Sequence, residues 1–308
     1  METLYITSPA CRQHEMGSWH PECPERLDAI NDHLLSSGIM PLLDTVELSR
    51  PASEAEILRV HTRAHLAHLQ ALSPAAGHAA IDGDTSMNPH TLEAALEAAG
   101  AGIAAVDAVM RGEANAAFCN VRPPGHHAEP SRAMGFCFFN NVAVAAAHAL
   151  EHHGLSRVAI IDFDVHHGNG TEAIFFDDER VMMCSFYQHP FYPNVRREGY
   201  RENMVNLPVD AYTTGVDLRQ LVSDMWLPRL TAFAPQLLFV SAGFDAHRED
   251  EMGQLGMVES DYAWITDQVV NVAERSAQGR IVSMLEGGYN LSALGRSAVA
   301  HIRSLSKL

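Results

Sequence analysis

The chain has 308 residues, 47% of them hydrophobic and 19% charged, which is typical of a compact globular protein and excludes a disordered or fibrous chain. Its 38 acidic and 21 basic residues give a formal net charge of −17, which disfavours direct binding to nucleic acid and favours neutral or cationic ligands. With no apolar run of about 18 or more residues and no basic-then-apolar leader, we expect neither a membrane span nor a signal peptide and predict a cytoplasmic location.

Helical and strand-like patterns alternate along the chain. Apolar periodicity predicts helices at about 25–36, 91–111, 140–153, 217–230, 260–276 and 291–305. Short β-rich runs lie between them, at 4–6, 116–121, 157–162, 181–186, 236–242 and 280–286. Continuous apolar strands that alternate with helices indicate an α/β protein with a parallel sheet covered on both faces. No Pro/Ser/Gly-rich linker divides the chain, so we expect one domain spanning 1–308.

Polar loops follow four of the predicted strands. They read NVRPPGHHAEP (120–130), DFDVHHGNG (162–170), SAGFDAH (241–247) and EGGYN (286–290). Ligands of open parallel sheets bind outside the carboxyl ends of the strands, so we expect these loops to converge. Convergence would bring seven polar side chains into one pocket, namely His126, His127, Asp162, Asp164, His166, Asp245 and Tyr289.

Three of these side chains have the chemistry of a metal site. Asp164 and His166 are two residues apart on the continuation of a strand, so their side chains point to the same side. With Asp245 they offer two carboxylates and one imidazole and leave a position open, which is how proteins hold catalytic zinc. A D-x-H pair alone is more often a hydrogen-bonded strand end, so the hypothesis depends on the whole set of loops.

Hydrolysis of an amide also needs a proton acceptor, a proton donor and a partner for the oxyanion. His126 and His127 are candidates for the first two roles, with one imidazole oriented by a carboxylate such as Asp162. Tyr289 follows a Gly-Gly turn and could donate a hydrogen bond to the oxyanion, although a lone buried tyrosine is usually a packing residue.

These segments resemble a known family, the zinc-dependent histone deacetylases and acetylpolyamine amidohydrolases, in their bacterial class II type. The similarity lies in SAGFDAH and EGGYN together with RPPGHHA (122–128), GFCFFNNVAVAA (135–146) and DFDVHHGNGT (162–171), while HPECPERL (20–27) resembles the family's opening helix. The resemblance implies a three-layer α/β/α arginase/deacetylase fold with a mainly parallel sheet of about eight strands.

The resemblance also implies roles for individual residues. The zinc ligands, with Fe²⁺ chemically conceivable in place of Zn²⁺, would be Asp164, His166 and Asp245. The catalytic group would consist of His127 as general base and acid, His126 as its electrostatic partner, Asp162 behind His126, and Tyr289 as the carbonyl-polarising phenol. The partner of His127 is Asn169, where class I enzymes carry Asp, so we predict a lower pKa for His127 than an Asp partner would give.

A substrate tunnel and a potassium site are implied in the same way. Phe136 and one of the pair Phe191 and Tyr192 resemble the aromatic walls that grip the stem of an acyl-lysine, next to Gly135. Met252 occupies the place where polyamine-specific relatives can carry a glutamate. A monovalent cation, K⁺, is implied at Asp162, Asp164, His166, Ser185 and Phe186. Arg26 resembles an arginine beside an internal acetate channel, and a helix-surface ion pair is an equally good interpretation.

The leading hypothesis is therefore an amidohydrolase that removes acetyl or short acyl groups from lysine side chains in a peptide or protein. One alternative is an acetylpolyamine amidohydrolase acting on a small acetylated amine. A non-catalytic acyl-lysine binding module is disfavoured because Tyr289 is present, and a binuclear manganese ureohydrolase because only Asp245 follows its strand, with Asp250 too far along. An oligomer is compatible with the sequence, and the charged segment 194–203 leaves the shape of the site rim open.

The remaining histidines and the cysteines suggest structural roles. His61, His65 and His68 could share one helix face and are predicted to pack or to lie at the surface. His152 and His153 lie at a helix end, where an imidazolium suits the helix dipole. The five cysteines are odd in number and without a C-x-x-C pair, which indicates reduced thiols: Cys11, Cys23, Cys119, Cys137 and Cys184.

Overall fold

The computed structural model describes residues 3–48, 50–195, 199 and 201–308. Within this part of the chain the strands are β1 (Thr3–Thr7), β2 (Asp44–Glu47), β3 (Ala79–Ala80), β4 (Ser86–Met87), β5 (Ala116–Asn120), β6 (Val158–Asp162), β7 (Val181–Gln188), β8 (Met204–Val209), β9 (Leu238–Ala242) and β10 (Ile281–Leu285). The α-helices are α1 (Glu25–Ser36), α2 (Glu54–Ile57), α3 (Arg63–Leu72), α4 (Thr91–Arg111), α5 (Asn141–Glu151), α6 (Asn169–Phe175), α7 (Gly215–Leu221), α8 (Leu227–Phe233), α9 (Glu259–Ser276) and α10 (Leu291–Leu305).

One eight-stranded sheet organises the protein, with strand order β2-β1-β5-β10-β9-β6-β7-β8. All its neighbouring strands pair in parallel, as in the register of Ile160 beside Phe239 between β6 and β9. Strands β3 and β4 form a separate antiparallel hairpin. Helix α10 packs on α1 and α9, and α4 packs on α5. The predicted α/β class with an eight-stranded parallel sheet is confirmed.

Burial explains the arrangement of the strands. Every residue of β5, β6, β7, β9 and β10 is buried, because a central parallel strand has helices over both faces. The edge strand β2 is exposed throughout, and β8 at the other edge is only partly buried. Strands β6, β9 and β10 lie side by side at the centre of the sheet, so the loops that follow them begin close together.

Asparagine caps fix the helices that follow two of the site loops. Asn140 accepts a hydrogen bond from the backbone N–H of Ala143 at 3.0 Å and begins α5. Asn290 does the same with Ala293 at 3.0 Å and begins α10. These caps satisfy N–H groups that the first helical turn leaves unpaired, and so they define where each loop ends.

The predicted helix 217–230 is confirmed as helical throughout, but its hydrogen-bond pattern changes along its length. Helix α7 begins earlier, where the side chain of Thr214 accepts from the N–H of Asp217, and a π-helical segment, Val222–Trp226, separates α7 from α8. Pro228 has no N–H to donate, so the hydrogen-bond ladder shifts its register just before the proline. The strands β2, β3, β4 and β8 and the helices α2 and α6 were not predicted, and α3 was predicted only as a possible helix face for three histidines.

Two further predictions concern the cysteines and a membrane span. The five cysteines are free thiols in the structure, as expected. In the described residues no helix combines the length and the apolar character needed to cross a bilayer. Residues 196–198 and 200 of the charged segment 194–203 lie outside the part of the chain that the structure describes.

Candidate active site

The polar loops after β5, β6, β9 and β10 meet around one cavity at the carboxyl edge of the sheet. The cavity has a volume of about 230 Å³. Three of the seven polar side chains expected in one pocket line it, namely His127, His166 and Tyr289. The other four contact His166 or one another: His126, Asp162, Asp164 and Asp245. The convergence expected from the topology of a parallel sheet is therefore observed at this edge.

Asp164, His166 and Asp245 form a compact cluster. Each offers one ligand atom, and these atoms lie within 4.8 Å of one another. His166 Nδ1 lies 3.0 Å from Asp164 Oδ1 and 3.2 Å from Asp245 Oδ2. All three residues are buried, so water cannot screen the two carboxylates from each other. The cluster could hold a metal ion with two carboxylates and one imidazole.

Backbone amides orient the two carboxylates. Val165 N donates to Asp245 Oδ1 at 2.9 Å, and Gly287 N donates to Asp164 Oδ2 at 2.9 Å. Among the described residues no donor of suitable geometry reaches Asp245 Oδ2, which faces His166. A Cβ added at Gly287 would overlap both carboxylates. Gly287 therefore leaves space beside Asp245 Oδ2, a buried oxygen whose lone pair is free to bind a ligand. This arrangement fits a divalent cation.

The charges of the cluster also favour a cation. Burial, followed by the charge of Asp164, raises the pKa of Asp245 to about 7. Burial alone would lower the pKa of His166, but Asp164 and Asp245 raise it to about 10. Two carboxylates at this distance cannot both stay ionised in a dry site unless positive charge lies between them. Together these shifts indicate a place where positive charge is bound.

Asn169 determines which nitrogen of His127 carries its proton. Asn169 Nδ2 donates to Glu129 Oε1 at 2.9 Å, and since a carboxylate only accepts, this contact fixes the orientation of the amide. Asn169 Oδ1 then lies 2.8 Å from His127 Nδ1, which must donate. His127 Nε2 keeps its lone pair. Burial, followed by the charges of His126 and His166, holds the pKa of His127 well below its usual value.

His126 has the opposite electrostatic environment. Its Nδ1 lies 2.9 Å from Asp162 Oδ2, and its Nε2 lies 3.8 Å from Asp164 Oδ2. Burial opposes charge here, but Asp164 and Asp162 hold the pKa of His126 well above its usual value. The rings of His126 and His127 are 4.0 Å apart between centroids. The structure thus keeps one charged and one neutral imidazole side by side, which is how acid and base roles are divided in active sites.

Asp250 holds the loop that carries Tyr289. One of its oxygens, Oδ2, accepts from Tyr289 N at 2.6 Å and from Asn290 N at 2.9 Å, while Oδ1 accepts from Met252 N at 2.9 Å. The sequence predicts that Asp250 lies too far along the chain to join Asp245 in a metal site. It lies outside the Asp164 cluster, yet it connects the loops after β9 and β10.

Burial holds the pKa of Tyr289 well above its usual value, so the phenol keeps its proton.

Arg26 is a buried residue of the site, so the interpretation as a helix-surface ion pair is wrong. Its Nε donates to Gly288 O at 2.7 Å, and one guanidinium nitrogen, Nη1, lies 3.0 Å from Glu22 Oε1. The guanidinium also lies 5.0 Å from the centroid of the Tyr289 ring. The hydrogen bond from Arg26 therefore holds the Gly287–Gly288 turn in place. The acetate-channel role stays a prediction.

All residues predicted for the tunnel line the cavity: Gly135, Phe136, Phe191, Tyr192 and Met252. The sequence left open which of Phe191 and Tyr192 contributes, and both do. Phe191 stacks on His166 with centroids 5.5 Å apart, and Tyr192 meets His127 edge-on at 5.2 Å. Each aromatic ring therefore covers one imidazole and keeps water away from it.

Phe136 occupies its position with a backbone φ of 67°, in the left-handed region. That conformation costs a residue other than glycine about 1 kcal/mol or more. Phe136 N donates to Thr85 Oγ1 at 3.1 Å, and the His20 ring meets the Phe136 ring edge-on at 4.6 Å. The surrounding loops therefore hold this side chain in the cavity against local backbone preference.

Two carboxylates of the cavity wall, Asp84 and Glu251, were not predicted as site residues. Asp84 belongs to the turn between β3 and β4, where its pKa is raised, chiefly by burial and by Asp82 beside it. Glu251 is exposed and precedes Met252, so the cavity has both an apolar and an acidic side chain at this position. Only the three-dimensional fold brings Asp84 to the site, because no local motif connects it with the polar loops.

The other sequence predictions have mixed outcomes. Ser185 pairs with Asp162 across β6 and β7, and its hydroxyl donates to Asn206 Oδ1 at 2.9 Å; the K⁺ site stays a prediction.

His61 and His65 are buried and bonded to backbone groups, His61 to Glu129 O and Asn140 N, and His65 to Phe138 O. The packing role predicted for those two histidines is confirmed.

The sheet and the position of its site define an arginase/deacetylase fold. The chain superposes on the structure described as "Crystal Structure of HDA15 HD domain" with a TM-score of 0.92 and 32% sequence identity, covering 100% of this chain and 90% of that one. Residues 20–305 match the family model described as histone deacetylase domain. The chain belongs to the histone deacetylase family.

Relatives from bacteria and archaea agree with this placement. The chain is 38% identical over 300 residues to a histone deacetylase-like amidohydrolase of Pseudomonas aeruginosa, covering 93% of this chain and 77% of that protein. It is 37% identical over 290 residues to a probable deacetylase of Archaeoglobus fulgidus, covering 91% and 79%. A Synechocystis protein, slr0245, is 37% identical over 308 residues, covering 97% and 98%. The first two relatives, together with the family match, support a hydrolase activity.

Removal of the Asp250 carboxylate tests its structural role. In Asp250→Ala the N–H groups of the half-buried residues Tyr289 and Asn290 lose their acceptor, which costs about 1 kcal/mol or more for each group, up to the ~3 kcal/mol of a fully buried one. We expect the free energy of unfolding, measured with denaturant, to fall by about 2–4 kcal/mol. Glu249→Ala is the matched control, because that neighbouring carboxylate is exposed and pairs with Arg296 at the surface. Equal losses in the two variants would contradict this role.

Proposed function

We propose that the chain is a single deacetylase domain, 1–308, that uses Zn²⁺ to hydrolyse the amide of acetyl-lysine or short acyl-lysine side chains. The observation that carries the proposal is the cavity of about 230 Å³, which combines His127, His166 and Tyr289 with aromatic walls. A narrow apolar passage suits the methylene stem of a lysine, and polar groups beyond it suit the amide. Family membership supports an acetylated substrate.

The proposed metal ligands are Asp164, His166 and Asp245. A zinc ion bound there would polarise the amide carbonyl and bring the pKa of a water molecule towards neutrality. The backbone donors Val165 N and Gly287 N hold the carboxylates in place. The phenol of Tyr289, kept protonated by burial, donates a hydrogen bond to the oxyanion as it develops.

The two imidazoles divide the proton transfers. His127 accepts the proton of the attacking water at Nε2, because Asn169 keeps the other ring proton at Nδ1. His127 then donates the accepted proton to the leaving amine. His126 stays protonated beside Asp162 and supplies positive charge while the oxyanion forms. This scheme assigns catalytic roles to His126, His127 and Tyr289, with Asp162 and Asn169 as their partners.

Replacing the phenol hydroxyl tests the proposed mechanism. In Tyr289→Phe we expect the kcat for an acetyl-lysine peptide to fall by about 10²-fold or more, since one oxyanion donor is worth that much. Zinc content and the affinity for the peptide should stay close to those of the parent protein. Tyr212→Phe is the matched control, because Tyr212 is 75% exposed. Unchanged turnover in Tyr289→Phe would remove the phenol from the mechanism.

An exchange of the Glu129 carboxylate and the Asn169 amide tests the role of His127. In the double variant Glu129→Gln/Asn169→Asp the amide at position 129 donates to the carboxylate at position 169, so the hydrogen bond between the two positions is kept. The negative charge now lies next to His127 Nδ1. A nearby carboxylate raises the pKa of an imidazole, and a general base must be deprotonated. We expect the acid limb of kcat/KM to move up by about one pH unit, relative to Glu129→Gln alone. An unmoved acid limb would contradict the assignment of His127 as general base.

A second candidate function, hydrolysis of acetylpolyamines, is favoured by the carboxylates Asp84 and Glu251 on the cavity wall. These groups attract the ammonium groups of a polyamine. Met252 favours acyl-lysine at the same place, because its side chain is apolar. The two candidates therefore differ in the charge of the substrate beyond the acyl group.

A substrate panel separates the two functions. We expect kcat/KM to be higher for an acetyl-lysine peptide than for an acetylated polyamine, with longer acyl-lysines compared in the same series. In Glu251→Gln the peptide reaction should change by less than about threefold, because a rim charge contributes little. Glu249→Gln is the control for loss of a neighbouring charge. A polyamine rate that is higher than the peptide rate and falls in Glu251→Gln alone would select the second candidate.

A further inference from the structure

A second group of metal-ligating side chains lies far from the cavity. It consists of Asp107 on α4, His148 on α5, and His152 and His153, which follow the end of α5. Each offers one ligand atom, and these atoms lie within 4.8 Å of one another. Since β6 begins at Val158, just after these histidines, the group lies at the amino edge of the sheet, opposite the cavity.

Asp107 is the centre of this group. Its Oδ1 lies 2.8 Å from His148 Nε2 and 2.8 Å from His153 Nε2. The ring of His152 stacks on His148 with centroids 4.7 Å apart and lies 4.9 Å from the ring of His153. In a tetrahedral zinc site with bonds of about 2.0–2.1 Å, neighbouring ligand atoms are about 3.3 Å apart. The two contacts of Asp107 with His148 and His153 would therefore have to lengthen by about half an ångström to admit an ion.

We propose that Asp107, His148, His152 and His153 bind one divalent transition-metal ion, for which Zn²⁺ is the natural probe. Three imidazoles and one carboxylate are ligands that suit Zn²⁺, Ni²⁺ and Cu²⁺, whereas Mg²⁺ and Ca²⁺ prefer an all-oxygen set. His152 is exposed and Asp107 is half-buried, so an ion can enter from solvent. The site is independent of the proposed function, because it shares no residue with the cavity.

Arg59 competes with the ion for His148. Its guanidinium lies 2.9 Å from His148 Nδ1, which then accepts, so the single ring proton is on Nε2 and points to Asp107. An ion bound at Nε2 moves that proton to Nδ1 and displaces Arg59. The arginine is exposed, so its charge returns to water at small cost. Burial lowers the pKa of His148, which favours the neutral ring that metals bind.

The consequence for the fold is a bridge between two helices. Asp107 belongs to α4 and the histidines belong to α5 or follow it, and these helices already pack against each other. An ion that binds the folded chain and not the unfolded one stabilises the fold in proportion to its occupancy. The second metal is therefore structural, and the hydrolysis at the opposite edge of the sheet does not require it.

The test counts zinc ions. The protein is dialysed against increasing free Zn²⁺, and the bound metal is measured by elemental analysis. We expect two saturable ions per chain for the parent protein and one for His152→Gln/His153→Gln, which removes two of the three imidazoles. His90→Gln, at the other end of α4, is the matched control and should bind two. Equal numbers of saturable ions in the parent protein and in the double variant would overturn the proposal, whereas one ion in the parent protein and none in the double variant would retain this site and count against the zinc site of the cavity.

Thermal unfolding gives an independent readout. Filling the second site should raise the midpoint of the parent protein and of His90→Gln, and leave that of the double variant unchanged. The double variant should keep its hydrolytic activity with one zinc bound, which also shows that it is folded. An equal rise of the midpoint in the parent protein and in the double variant would refute the assignment of these ligands.

Discussion

The contact on which the site depends is that between two buried carboxylates, Asp164 and Asp245, at the carboxyl edge of the sheet. Neither is exposed to water, so their repulsion is not screened and positive charge between them is needed. The surrounding chain is arranged to accept this: backbone N–H groups of Val165 and Gly287 hold one oxygen of each carboxylate. His166 supplies the third ligand atom. A divalent cation held by these three ligand atoms would supply that positive charge.

The same electrostatics separates the two neighbouring histidines. His126 faces the carboxylates Asp162 and Asp164 and is held protonated, whereas His127 faces the amide of Asn169 and is held neutral. The neutral partner of His127 is itself held by Glu129, which accepts from the Asn169 amide and so fixes its orientation. Adjacent residues with the same side chain thus have different chemistry because their partners differ. A carboxylate in place of Asn169 would weaken that difference.

The sequence predicted the buried parts of the fold well and its exposed parts poorly. Strands such as β6 and β9 are apolar for most of their length, and the D-x-H motif with its companion loops predicted Asp164, His166 and Asp245 as a candidate metal site. Edge strands β2 and β8 have no continuous apolar run, because β2 is exposed throughout and β8 is only partly buried. Asp250 and Glu129 were missed for a different reason: their partners are backbone or amide groups on distant loops, which leave no pattern in the sequence.

Metal dependence is the central claim, and stripping the metal tests it most directly. Protein treated with a chelator until elemental analysis finds no metal is assayed with an acetyl-lysine peptide, before and after Zn²⁺ is returned. We expect hydrolysis to be lost in the stripped protein and restored by zinc, while Asp245→Asn recovers little activity under the same treatment. Full activity in protein free of metal would contradict the account, because the buried carboxylates would then have no catalytic role.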